Sequence, residues 1–292
     1  MHFFDRLADA IRAKGSPLCV GLDPRHESLP IEIAKRHGAD IAAAYEEFCL
    51  RVLDIVTPLV AVVKPQSAFF EACGAAGMAA LRTVIHKAKQ LGVLTILDAK
   101  RGDIASTATA YAEAAFRVLD ADSLTINPYL GRDSVEPFLK SARTDGRALF
   151  VLVRTSNPGS GLFQNLNCDG QPLYRHVAEA VKTWGCENLG ANGFGDVGAV
   201  IGATHPAELA ELRSTMPDVW FLVPGYGAQG GSAEDVAAAF RPDGLGAIVN
   251  SSRGVTFPFR PDDRDWEVRV ELVAREAARE LANTSTRGTH GE

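Results

Sequence analysis

Cysteine is scarce and unpaired in this chain. The 292 residues carry five cysteines (Cys19, Cys49, Cys73, Cys168 and Cys186), odd in number and without a C-x-x-C pair. That argues against a disulfide framework or a thiolate zinc site and fits reduced, mostly buried thiols. Basic excess is missing as well. The 30 Lys and Arg stand against 36 Asp and Glu, a net charge of −6, so no nucleic-acid surface is expected, although a local basic pocket for a small anion stays open. No apolar run reaches the length of a membrane span. The N-terminus Met1-His2-Phe3-Phe4-Asp5-Arg6-Leu7 places charges where a signal peptide needs an apolar core. A soluble, cytoplasmic protein with no membrane partner is the expectation. The seven histidines show no metal-ligand spacing, and no G-x-S-x-G elbow occurs.

What is present is a repeat of short, continuously apolar runs with amphipathic stretches between them. The runs are Leu18–Leu22, Leu59–Val63, Val93–Leu97, Ser123–Ile126, Ala148–Val153, Val197–Ile201, Val219–Val223 and Ala247–Asn250. Continuous apolarity marks strands buried on both faces, as in parallel sheets. Helices are expected over 41–56, 77–89, 107–119, 134–142, 173–183, 206–215, 233–240 and 265–281. No linker divides the chain. The reading is an α/β fold, a single-domain (β/α)₈ TIM barrel over 1–282 with a disordered tail over 283–292; an open sheet of seven or eight strands is the competitor. The stretch 156–171, rich in Gly, Asn and Pro, reads as a long loop after the fifth strand.

In such a barrel the C-terminal ends of the strands converge on the active site. Asp23, Lys64, Asp98 with Lys100, and Thr155-Ser156-Asn157 occupy those ends. The densest signal is Leu97-Asp98-Ala99-Lys100-Arg101-Gly102-Asp103-Ile104. Asp98 falls at a strand end, and Lys100, two residues on, can point to the same side. Charges at the end of a buried strand are costly unless paired or used, and a plain strand-capping salt bridge would use the same residues. Thr107 is close enough in sequence to Asp103 to share its site.

An anion site is expected after the last two strands, where Pro224-Gly225-Tyr226-Gly227-Ala228-Gln229-Gly230-Gly231 and Ser251-Ser252-Arg253-Gly254 lie. Glycines let backbone N–H groups approach phosphate, and Arg253 offers a planar fork to its oxygens. Ser232 is the expected N-cap of the following helix. The segment 225–230 also fits G-x-G-x-x-G, so an NADP-dependent oxidoreductase is one alternative, although only one strand follows the motif.

The Asp98–Ile104 run, with Pro224-Gly225, Gln229, Arg253 and the stretches 63–71 and 155–160, resembles the orotidine 5′-phosphate decarboxylase family, in its larger bacterial subgroup, over most of the chain. The resemblance implies decarboxylation of orotidine 5′-phosphate to UMP without metal or cofactor. It further implies a homodimer in which Asp103 and Thr107 complete the neighbour's site. Catalytic roles fall on Lys64, Asp98, Lys100 and Asp103. Asp23 is implied for a ribose hydroxyl, Ser156 for the pyrimidine amide, and Gln229 with Arg253-Gly254 for phosphate. Related metal-dependent barrels carry Glu at the second-strand position. Lys64, which cannot ligate while protonated, disfavours them. A non-catalytic nucleotide-binding barrel is the remaining alternative.

Overall fold

The computed structural model describes residues 1–227 and 231–287. The expected apolar runs all form strands: β1 Leu18–Leu22, β2 Val62–Pro65, β3 Leu94–Arg101, β4 Ser123–Ile126, β5 Ala148–Arg154, β8 Val197–Ile201, β9 Phe221–Val223 and β10 Ala247–Ser251. They close into a parallel barrel in the order β1-β10-β9-β8-β5-β4-β3-β2, which removes the open-sheet alternative. Closure is made by β10 on β1, with Leu18 opposite Val249 and Cys19 opposite Asn250. Two strands fall outside the barrel. β6 Asn167–Cys168 and β7 Gln171–Pro172 form an antiparallel pair within the long loop after β5.

Alternation along each strand divides the apolar residues into two cores. Leu18, Val20 and Leu22 pack outward with the helices, whereas Cys19 joins Val62, Ile96, Phe150 and Ile248 inside the barrel. Burial pushes the Cys19 thiol up to about 12. Cys49 is also buried, but Cys73 and Cys168 are half-buried and Cys186 is exposed, so the cysteines are less sheltered than expected.

A helix not foreseen from the sequence, Phe3–Lys14, closes the base of the barrel. Phe4 stacks on Trp220 with centroids 5.6 Å apart and meets Phe150 edge-on at 5.4 Å. Phe3 and Phe4 are fully buried; each such side chain is worth about 1.5–3 kcal/mol of transfer free energy. Asp5 fixes the helix by accepting the backbone N–H groups of Ala191 and Asn192, both at 2.9 Å. Gly15 ends it in the left-handed region, φ 69°, its N–H returning to the Ile11 carbonyl.

Other helices follow the expected pattern with shifted ends. Those at Ile41–Val56 and Pro206–Thr215 form with the expected bounds. The one after the glycine-rich loop is short, Ala233–Val236, and begins in a capping box made by Ser232 and Asp235. The last helix runs Trp266–Arg287, with Thr284 and Ser285 buried. The expected disordered tail is therefore corrected: 283–287 is helix, because its small polar residues lie on a face already packed, and 288–292 falls outside the described residues.

Candidate active site

The mouth of the barrel is organised by an irregularity in β3. Its pairing with β4 runs in register to Leu97 opposite Leu124, then shifts and resumes at Arg101 opposite Ile126. The strand thus continues past Asp98, its expected end, through Lys100 to Arg101. Lys100 takes a left-handed backbone, φ 48°, a conformation that costs a non-glycine residue about 1–3 kcal/mol and persists only where its surroundings enforce it. Thr125 on β4 supplies that enforcement. Its Oγ1 accepts the N–H groups of Ala99 and Lys100, both at 3.0 Å, and donates its own hydrogen to Asp98 Oδ1 at 2.9 Å.

Asp98 is the centre of a charged ladder. Lys64 Nζ donates to Asp98 Oδ2 at 2.7 Å, and Lys100 Nζ to Oδ1 at 2.7 Å. Gln66 Nε2 adds a donor to Oδ2 at 3.0 Å. Burial alone would push the Asp98 carboxyl up, but the two ammonium groups outweigh it and hold it well below the usual carboxylate range. Lys64 is buried too, which alone would lower it; the charges of Asp98 and Asp23 reverse that and raise it. The Lys100 side chain is 47% exposed, against 6% for Lys64. Lys100 is therefore the cation that faces the opening, and Lys64 the one that anchors the ladder from below.

These groups border a cavity of about 590 Å³. Its floor is divided. Lys64, Asp98 and Thr125 form one side, and Leu152, Val200 and Leu222 from β5, β8 and β9 form an apolar side. Asp23, Ser156 and Arg253 line the same cavity, as the sequence led us to expect. Asn250, also lining it, is held by a bond from its Nδ2 to Ser252 Oγ at 3.2 Å. Gly21 has to be glycine for this packing, because a Cβ there would lie 1.9 Å from Ser252 Oγ.

Three expected positions lie elsewhere. Asp103 does not reach Lys100 within the chain; its Oδ1 accepts the N–H of Ile104 at 2.8 Å, and it lies outside the cavity wall. The irregular turn at Lys100–Gly102 carries it to the outer rim. Thr107 is exposed in the first turn of the helix Ala105–Glu113. Gly254 faces a second groove behind the mouth, shared with Tyr226, whose hydroxyl donates to Glu280 Oε2 at 2.5 Å. Gln229 lies outside the described residues.

Sequence reasoning missed Gln66 and Thr125. Gln66, just past β2, could have been found as the residue two after Lys64, which extended backbone turns to the same side. Thr125 carried no signal, since a threonine inside a β-rich run is the ordinary choice.

Comparisons with known proteins identify the family and agree with the barrel fold. The family model described as Orotidine 5'-phosphate decarboxylase / HUMPS family matches residues 16–258. The orotidine 5′-phosphate decarboxylase of Rhodopirellula baltica is 47% identical, covering 94% of this chain and 96% of that protein. That of Cupriavidus metallidurans is 41% identical over the whole of both chains. Among solved structures, Leishmania donovani OMP decarboxylase superposes with a TM-score of 0.79 at 40% identity, covering 98% of this chain and 99% of the other.

Proposed function

Because the chain belongs to the orotidine 5′-phosphate decarboxylase / HUMPS family, we propose that its barrel mouth converts orotidine 5′-phosphate to UMP and CO₂ through the Lys64–Asp98–Lys100 ladder, using neither metal nor organic cofactor. The chain is a carboxy-lyase, and the conversion belongs to pyrimidine biosynthesis. The observation that carries the mechanistic reading is Lys100, paired to Asp98 at 2.7 Å and yet half-open to the cavity.

Breaking the bond from C6 to the carboxylate leaves its electron pair on C6, where the ring delocalises it poorly. A fixed ammonium aimed at that carbon stabilises the developing charge without reorganising, an effect worth several kcal/mol where water is excluded. The same ammonium then gives a proton to C6 and regains one from solvent. Asp98, itself fixed by Lys64, holds Lys100 in place. The apolar wall of Leu152, Val200 and Leu222 suits the departing neutral CO₂. Both Asp98 oxygens accept from ammonium groups, so the carboxylate of the ladder is already engaged, which supports the metal-free reading. Arg253 suits the phosphate, whose binding energy then serves the distant bond-breaking step.

The active unit we propose is a homodimer. Asp103 sits on the rim beside Ile104, Tyr129 and Leu130, which are 56%, 84% and 48% exposed. Their loops touch where a Cβ on Gly102 would meet the Asn127 carbonyl at 3.0 Å. A second copy seated on this apolar rim would cover it and bring the partner's Asp103 and Thr107 toward Lys100. The site then alternates in charge from Lys64 outward.

The test is the fall in ultraviolet absorbance when the protein meets orotidine 5′-phosphate in EDTA, beside Lys100→Ala. Rapid loss in the parent protein and none in the variant is expected. An inactive parent protein in EDTA that recovers with Mg²⁺ would overturn the metal-free reading.

A further inference from the structure

The long loop after β5 contributes Ser156 to the cavity, and its far end is tied back to the same strand. Gln164, the last residue of the short helix Gly161–Gln164, lines the cavity. Its amide folds onto Thr155: the Thr155 N–H donates to Gln164 Oε1 at 3.0 Å, and Gln164 Nε2 donates to Thr155 Oγ1 at 2.8 Å. One amide thus satisfies both the backbone N–H and the hydroxyl of Thr155.

Gln164 is itself fixed from outside the mouth. Arg154, only 2% exposed, donates from Nη1 to Gln164 Oε1 at 3.2 Å. Its Nε and Nη2 grip the Glu208 carboxylate at 2.5 and 3.2 Å, and its guanidinium lies 5.3 Å from the Tyr174 ring centre. A buried guanidinium with every nitrogen engaged has one orientation, which Gln164 inherits. On the other side of Ser156 stands Gly202, where a Cβ would lie 2.8 Å from the Ser156 Cβ. Ser156 therefore packs on a required glycine and follows a residue tied to a braced amide.

We propose that Gln164 is a positioning residue for the base end of the substrate, anchored by Arg154, and that the two together set the orientation in which Thr155 and Ser156 meet the pyrimidine. The inference rests on the decarboxylase reading, in which Ser156 meets the pyrimidine amide. Arg253 lies after β10, three strands away from β5 around the barrel, so the two ends of the nucleotide can be tested apart.

The experiment titrates the full protein, Gln164→Ala and Gln164→Glu with UMP and with ribose 5-phosphate, following turnover in parallel. For Gln164→Ala, UMP affinity should fall about tenfold, the equivalent of about 1.4 kcal/mol, while ribose 5-phosphate binding and the denaturation midpoint stay unchanged. KM for orotidine 5′-phosphate should rise more than kcat falls. Gln164→Glu keeps acceptor oxygens for Thr155 and Arg154 and should regain most of the affinity. Arg154→Lys, which loses the fork, should show the same selective loss; if it does not fold, the Gln164 pair decides. Equal losses for both ligands, or none for UMP, overturn the proposal. A parent protein that binds UMP but releases no CO₂ sinks the decarboxylase reading while the comparison of ligands still judges Gln164. If the parent binds neither ligand, both are overturned.

Discussion

At the scale of single residues, Asp98 is held by two ammonium groups, an amide and the Thr125 hydroxyl, and each donor has a separable consequence. Thr125→Val keeps the shape and removes the hydroxyl that two backbone N–H groups share. It should cost about 1–3 kcal/mol in urea denaturation, the penalty for orphaned buried donors, and lower kcat more than it raises KM, because Lys100 loses its enforced backbone. Unchanged kcat would show that Thr125 does not place Lys100. The ladder also sets a pH window. Asp98 is depressed in the folded state, so its stabilisation is present above the unfolded value of about 3.9 and is lost as pH falls through the lower folded one. Lys64 is raised, so its stabilisation is complete below about 10.4 and is lost as pH climbs through the higher folded value. Denaturation midpoints should be nearly flat in this contribution between those limits. In Asp98→Asn that contribution disappears from the acid limb, and Lys64, left buried without its partner, should make the variant less stable throughout.

Among the elements, the helix Phe3–Lys14 plugs the base and the loops after the strands build the mouth, so stability and chemistry lie at opposite ends of the barrel. Phe4→Ala should lower stability by about 3–5 kcal/mol, the usual loss for a buried phenylalanine, and leave KM unaltered in the molecules that remain folded, measured by urea titration and steady-state kinetics. A large KM change would mean that the base communicates with the mouth. The strands were legible in the sequence because burial on both faces makes them continuous apolar runs such as Val197–Ile201. The helix at the base was overlooked although Phe3, Phe4, Leu7, Ala8 and Ile11 keep helical spacing, because the segment was read only against a signal peptide. Asp98 was read as the end of β3 and the strand's continuation to Arg101 was not, because Lys100 and Arg101 look like solvent-facing residues until Asp98 and Thr125 are set beside them. Lys64, Asp98 and Lys100 were legible as a spacing motif. Gln164 was hidden, because its partners, Arg154 and Glu208, are brought together only by the fold.

For the molecule as a whole, the proposed two-fold arrangement makes a quantitative prediction. If each site takes Asp103 from the neighbour, Lys100→Ala and Asp103→Ala proteins are each inactive. Refolded together in equal amounts, they should recover about one quarter of parental sites, since half of the dimers then carry one intact site under two-fold symmetry. No recovery would place Asp103 in its own chain's site. Barrel closure has a consequence in time as well as in space. Leu18 leaves the ribosome long before its partner Val249 is made. At about 5–20 residues per second, the first strand waits on the order of ten to fifty seconds with one edge unpaired. Phe3 and Phe4 wait through the same interval for Trp220. The nascent chain is therefore a client for chaperones until its last strand is synthesised, and slowing translation after β9 should raise aggregation more than slowing it after β1.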